Sequence, residues 1–379
     1  MIPSQKNSRD YIMTKTKILL SVATASVLAL NGCGGGSSSS TGGKTTQDIR
    51  PADCTSYTTP AGNELAGDIT TCTYLTNDRT WIINGLVAVK GTTLKIQEGT
   101  TLAGRDGTAD ATSYLVIDRD AKILAEGTQA EPIVFTSEIV TNGGVAAEGQ
   151  WGGVTIIGNA ANSQVGAYEA NTDFVPGDTD LGDNSGVLTY VEILNSGITM
   201  APEQEINGLS LVGVGSGTTI DHITVNKSDD DCIEAWGGTV NMSNITVSEC
   251  TDDQFDIDDG YAGTVTNLVI NQTTGNAGIE QSGDTYATFN GFTITQNSSA
   301  KEGGIYFKKA GIGGHFMNGT VTDNSDEGFG AIHSSETADI ANTSFNNVLL
   351  TGSSSDDRFT GDSAAELQDL FDSVGTNDR

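Results

Sequence analysis

The chain has 379 residues, of which 18 are Lys or Arg and 49 are Asp or Glu, giving a formal charge of −31. So large an excess of carboxylates excludes a nucleic-acid partner, since phosphate contacts need stripes of Lys and Arg, and it favours solubility and the attraction of cations. With 48 glycines, 6% aromatic residues and β-branched alternation throughout, the composition also opposes a helical bundle.

The N-terminus reads as a processing segment. From Met13, Lys15 and Lys17 precede an apolar run from Ile18 to Leu30, and Leu30-Asn-Gly-Cys33 closes it. This is similar to a bacterial lipoprotein signal, in which residues 1–32 are removed and the Cys33 thiol becomes the lipid attachment; Asn31 is less usual there than Ala or Ser. The run is too short to span a bilayer, which takes about twenty residues. Cleavage removes Lys6, Arg9, Lys15, Lys17 and Asp10, so 18 basic residues fall by four and 49 acidic residues by one, and the charge becomes −34. Gly34, not Asp, follows the cysteine, which by resemblance to Gram-negative sorting implies the outer membrane, with the membrane itself as the partner of the lipid anchor. Residues 33–44 then form a flexible Gly/Ser tether.

Residues 45–80 are expected to be an N-terminal extension that caps one end of the domain, and residues 81–355 its repetitive body. Ile223-Thr-Val-Asn226, Ile245-Thr-Val-Ser248, Leu268-Val-Ile-Asn271, Phe292-Thr-Ile-Thr295 and Gly319-Thr-Val-Thr322 recur at steps of 22, 23, 24 and 27 residues. A second series keeps the beat: Cys232-Ile-Glu-Ala-Trp236, Gln254-Phe-Asp-Ile-Asp258, Gly278-Ile-Glu-Gln-Ser282, Gly304-Ile-Tyr-Phe-Lys308 and Gly328-Phe-Gly-Ala-Ile332. Two strands per repeat with Gly, Asn and Asp at the corners define an all-β solenoid. Stacking the rungs turns each position into a column. Ile233, Phe255, Ile279, Ile305 and Phe329 form an apolar column suited to the interior. The interleaved column of Glu234, Asp256, Glu280, Tyr306 and Gly330 is expected to face water.

Cys54, Cys72, Cys232 and Cys250 make an even set in an exported chain. Cys54 with Cys72 would clip the extension to the first rung. Cys232 with Cys250 would bridge adjacent rungs, with two buried free thiols as the alternative. At the far end, residues 356–379 hold Ser363-Ala-Ala-Glu-Leu-Gln-Asp-Leu-Phe-Asp-Ser-Val374, whose Leu367, Leu370, Phe371 and Val374 at helical spacing behind a Ser cap predict a short amphipathic helix that closes the core.

Several phrases follow one another in order: Leu94-Lys-Ile-Gln-Glu-Gly-Thr100, Ala125-Glu-Gly-Thr128, Pro132-Ile-Val-Phe-Thr-Ser137, Gly149-Gln-Trp-Gly-Gly-Val-Thr-Ile-Ile-Gly-Asn159 and Asn207-Gly-Leu-Ser-Leu-Val-Gly-Val-Gly215. Together they resemble a family of bacterial secreted and lipid-anchored right-handed parallel β-helix proteins in the pectin-lyase-like superfamily. The resemblance implies that fold and export; it transfers no catalytic residue.

The chemistry lies in the acidic corner. Asp230 and Asp231 precede one short strand and Asp252 and Asp253 the next; Glu234, Asp256 and Asp258 lie on those strands, and Asp326 shares a column with Asp230 and Asp252. Carboxylates stacked about 4.8 Å apart either take up protons or share a cation. Ca²⁺, which accepts six to eight oxygens in loose geometry, is the natural cofactor for Asp230, Asp231, Glu234, Asp252, Asp253, Asp256 and Asp258; the opposing reading is a solvated ridge of turn-forming Asp. Trp236, Glu280 and Tyr306 are candidate ligand contacts, Trp236 as a platform for a sugar ring. Superfamily enzymes act on polysaccharides, yet neither Gly-His-Gly nor Arg-Ile-Lys occurs, and the stretch from Asp229 to Ala300 has no basic residue to serve as a lyase base. The expectation is therefore a binding or adhesion module, its partner a polysaccharide or another envelope or surface protein, with a Ca²⁺-dependent lyase or hydrolase as the alternative.

Overall fold

Parallel pairing from one rung to the next organises the molecule. The computed structural model describes residues 54–106, 112–161, 165–202, 204–298, 302–325, 328–352 and 358–379; Cys33, the signal segment, the tether and Asp326 lie outside the described residues. One sheet of 23 strands winds through the body, and its pairings are parallel. Antiparallel pairing among the described residues is found in a small hairpin, Ile198–Ala201 with Gln204–Ile206, set apart from that sheet, and in an isolated bridge between Ala160 and Asp178. Glu64–Ile69 and Thr73–Leu75 already stack in parallel on Trp81–Val89 and Thr93–Ile96. At the other end Phe359–Gly361 pairs with Ile332–Ser334.

From Gly186 onward each rung has one long and one short strand. The long strands include Thr219–Ser228, Asn241–Ser248, Thr264–Gln272, Thr288–Ser298 and His315–Ser325. The short ones include Ile233–Trp236, Phe255–Asp258, Ile279–Gln281, Ile305–Phe307 and Ile332–Ser334. Every long strand bends at a residue in the left-handed region that its pairing skips, Tyr190, His222, Asn244, Asn267, Gly291, Asn318 and Asn347, and the first two bend again near their ends, at Asn195 and Lys227. The bend lets one strand serve two faces of the rung.

The apolar column is Ile233, Phe255, Ile279, Ile305 and Ile332, all fully buried. Phe329 does not belong to it. The turn before Ile332–Ser334 is as long as the one before Ile305–Phe307 and longer than those of the earlier rungs, so the core position falls at Ile332, three residues past the expected one, and Phe329 packs edge-on against His333, ring centroids 4.6 Å apart. Beneath the long strands the rings of Phe255, Phe289, Phe316 and Phe345 follow one another at 5.4–5.8 Å. Phe371 of the C-terminal helix Ala364–Asp372 meets Phe345 at 5.6 Å and, with Leu367, closes the core. Ser363 stands at the N-cap position without capping; its hydroxyl accepts the Ala338 N–H instead, tying the helix to the preceding rung.

Both disulfides are formed, Cys54 with Cys72 and Cys232 with Cys250, at Cα separations of 5.9 and 5.5 Å. The second lies wholly inside the core, so the free-thiol alternative falls.

Candidate functional site

The corner that leads into each short strand explains why Asp recurs there. Asn207 Oδ1 accepts the N–H of Asp231 at 3.1 Å, Asp231 Oδ1 accepts that of Asp253 at 2.7 Å, and Asp253 Oδ1 accepts that of Ala277 at 2.5 Å. Each side chain thus satisfies a backbone donor one rung on, where the chain turns too sharply for the ladder to do so. The same contacts hold the carboxylates in register.

On the strands that follow, Glu234 pairs with Asp256 and Asp256 with Glu280. This column points away from the core, as expected, yet it does not face open water: Glu234 is 8%, Asp256 7% and Glu280 1% exposed. Two segments outside the repeat bury it. Glu169 from the stretch preceding Gly186, and Thr199 and Glu205 from the hairpin, wall a cleft of about 580 Å³. Asp230, Asp231, Asp252, Asp253 and Asp258 line it as well.

Two lysines enter from the next rung. Lys308 Nζ lies 2.6 Å from Glu280 Oε1, and Lys309 Nζ 3.4 Å from Asp258 Oδ2. Both lie just past Lys301, beyond the Asp229–Ala300 stretch that lacks basic residues; continuing the outward alternation from Tyr306 by one step would have found Lys308. Glu169 and Glu205 left no such signal, because their segments do not repeat.

The carboxylates outnumber their partners. Glu234 Oε2 accepts from Asn207 Nδ2 at 2.7 Å, and Asn276 donates to Asp252. Asp256 Oδ1 and Glu280 Oε2, in contrast, are buried and receive no N–H or hydroxyl; the groups within hydrogen-bond reach of Asp256 and Glu280 on this side are the carboxyls of Glu234 and Asp253. Three overlapping triads, Asp230/Asp231/Asp252, Asp231/Glu234/Asp256 and Asp253/Asp256/Glu280, each bring carboxylate oxygens within 4.8 Å of one another. Burial, and after it the charges of Asp252, Glu205 and Glu169, push Asp230 up to about 8. Burial followed by neighbouring carboxylates raises Asp231, Glu234, Asp253 and Asp256 well above the carboxylate range. Glu280 is raised too, because burial outweighs Lys308. For Lys308 the balance is reversed: burial opposes its charge, but Glu280, Asp256 and Asp253 overcome it and hold the ammonium protonated.

Trp236 is half-buried where the cleft meets a smaller recess of about 280 Å³, and Tyr168 contacts its ring edge-on at 5.9 Å. Tyr306 lies one rung past Glu280, 8% exposed and stacked on His333 at 5.1 Å, outside the residues that line the cleft. The structure therefore brings together Asp230, Asp231, Glu234, Trp236, Asp252, Asp253, Asp256, Asp258 and Glu280, and leaves Tyr306 apart.

The family described as pectate-lyase like beta helix domain matches residues 67–375, and the chain belongs to it. Among solved structures, the catalytic domain of Agl-KA is similar at 15% identity over 78% of this chain and 55% of that one, with a TM-score of 0.36. The full-length tailspike protein 2 from Escherichia coli O157:H7 bacteriophage CAB120 is similar at 14% identity over 72% and 39%, with a TM-score of 0.26. The chain thus spans about half or less of the length of these solved chains. A search of curated proteins finds no match.

Proposed function

We propose that this protein is a lipid-anchored β-helix of the outer membrane that binds a surface polysaccharide through calcium taken up in the acidic cleft. The observation that carries this reading is the pair of buried, unpartnered oxygens, Asp256 Oδ1 and Glu280 Oε2, amid carboxylates within 4.8 Å of one another. An all-oxygen donor set of loose geometry fits a hard cation with six to eight ligands. Asp230, Asp231, Glu234, Asp252, Asp253 and Asp256, with Glu280, would hold it; when bound, it would supply positive charge that an acidic sugar can meet. Trp236 at the cleft's margin offers a ring face to the same chain. The test is a glycan array probed with the mature protein in calcium and in EDTA: calcium-dependent retention on acidic glycans is expected, and retention indifferent to EDTA would overturn the reading.

A second reading, a polysaccharide lyase, rests on Lys308, an amine placed 2.6 Å from Glu280 within the cleft. A general base must be free of its proton, and the carboxylates around Lys308 hold that proton on, so binding is the better-supported function. Release of unsaturated uronides from polygalacturonate, abolished by Lys308→Met, would establish the lyase instead.

A further inference from the structure

A second groove, of about 200 Å³, opens on the long-strand side and shares no residue with the acidic cleft. It lies at the bend of the long strands. Five rungs place Asn or Gly at that left-handed position, Asn244, Asn267, Gly291, Asn318 and Asn347, the residue types that tolerate it best. The two preceding rungs place Tyr190 at φ 49° and His222 at φ 54°. His tolerates this region better than most side chains, but a bulky Tyr190 there is strained, and strain of this kind concentrates at binding sites. Asn at either position would continue the column at lower backbone cost, so the rings are there for another reason.

The two rings stack at a centroid distance of 4.2 Å and an angle of 19°. Asp221 fixes the assembly: its Oδ2 lies 2.7 Å from His222 Nδ1, while its Oδ1 accepts from Ser243 Oγ at 2.6 Å and from Asn244 Nδ2 at 2.7 Å. Neither ring is buried; the His222 side chain is 39% exposed. Gln129, Glu192, Thr224 and Thr246 rim the groove with an amide, a carboxylate and two hydroxyls. Stacking covers one face of each ring and leaves the outer one, and an outer ring face bordered by such groups matches a pyranose, whose C–H face is apolar and whose edge is hydroxylated. Glu192 on the rim would repel an acidic sugar, so a neutral one fits.

We propose that Tyr190 and His222 form a stacking platform for a neutral sugar ring, a saccharide site separate from the acidic cleft and independent of calcium. The mature protein would be titrated calorimetrically in EDTA with cellohexaose, laminarihexaose and maltohexaose. At least one binds. Tyr190→Asn weakens it about tenfold or more, equivalent to about 1.4 kcal/mol, without lowering the melting temperature, because Asn suits the left-handed bend. Tyr190→Phe, which keeps the ring, retains the affinity, and Thr246→Arg, which fills the groove from its rim, abolishes it. Asp256→Asn in the cleft changes nothing here, so failure of this site and failure of the calcium site are told apart. The proposal is overturned if no hexaose binds, if Tyr190→Asn binds as the wild type does, or if that variant melts several degrees lower and so shows the ring to be packing alone.

Discussion

Two polar columns run along this β-helix at one-rung spacing, and they differ in one chemical respect. At the bend of the long strands, Asn244 donates to Asp221 at 2.7 Å, Asn267 to Asn244 at 3.1 Å and Asn347 to Asn318 at 2.9 Å. Each amide carries a donor and an acceptor, so stacked amides satisfy one another; at the rung where Gly291 interrupts them, Asn318 donates instead to Asn290 at 2.8 Å. On the short strands Glu234, Asp256 and Glu280 repeat at the same spacing, but an ionised carboxylate only accepts. Asp256 Oδ1 and Glu280 Oε2 have no N–H or hydroxyl to accept from, and within the protein only the carboxyls of Glu234 and Asp253, once protonated, can donate to Asp256 and Glu280. A self-complementary column is scaffold; a column of acceptors in a cleft calls for protons or cations from outside.

The largest test of that contrast is Asp256→Asn. In the wild type, calcium at a hundred times its dissociation constant should add about 2.7 kcal/mol of stability, read as a rise in melting temperature. The variant should lose most of that rise. In EDTA at pH 8, however, it should melt higher than the wild type by the equivalent of about 1–2 kcal/mol, since a buried charge among like charges has been removed. If the variant keeps the calcium response, the unpartnered oxygens are not its source.

Next in size is the dependence on pH without calcium. Asp230, Asp231, Glu234, Asp253 and Asp256 all have folded-state pKa values above their ordinary ones. The folded protein therefore binds more protons than the unfolded chain, and the stability these groups contribute is fully present below the ordinary carboxylate range. It is lost as pH rises from about 4 through the value of about 8 held by Asp230. Thermal melts in EDTA should fall across this window, and calcium should restore most at its upper end, where the cleft is ionised. A flat profile in EDTA would mean that the cleft carboxylates ionise as freely as those on the surface.

What the sequence disclosed follows the same division. Ile233, Phe255, Ile279 and Ile305 were legible as a core column because an interior column is defined by its own repeat, and Glu234, Asp256 and Glu280 were legible as facing the other way. Their burial was not, because the walls carrying Glu169 and Glu205 come from segments with no period. Phe329 misled because the turns before the short strands lengthen along the chain, and the shorter step of the first rungs places an apolar residue three positions early. The pairing of Cys232 with Cys250 was open from spacing alone, since it depends on how the corner between them folds. Tyr190 and His222 were invisible as a pair: they lie 32 residues apart, and only the skipped positions of the observed register, with their left-handed φ values, bring them into one column with the asparagines.

The smallest effect tests the comparison from its other side, by placing a carboxylate in the amide column. Asn267 Nδ2 donates to Asn244 Oδ1 at 3.1 Å, and its own position is exposed. Asn267→Asp replaces that donor by an acceptor and sets two acceptors against each other, but water reaches both, so the loss should be about 1 kcal/mol or less at pH 7. The sign of its pH dependence is informative. A protonated Asp regains a donor, so the cost should appear as pH rises through the ordinary Asp value of about 3.9 and vanish below it. Asp256→Asn moves the other way, stabilising at high pH and nearly neutral at low pH. Opposite pH signatures from two conservative exchanges at one-rung spacing would show that hydrogen-bond complementarity, not burial or charge count, separates the column that builds the helix from the one that binds.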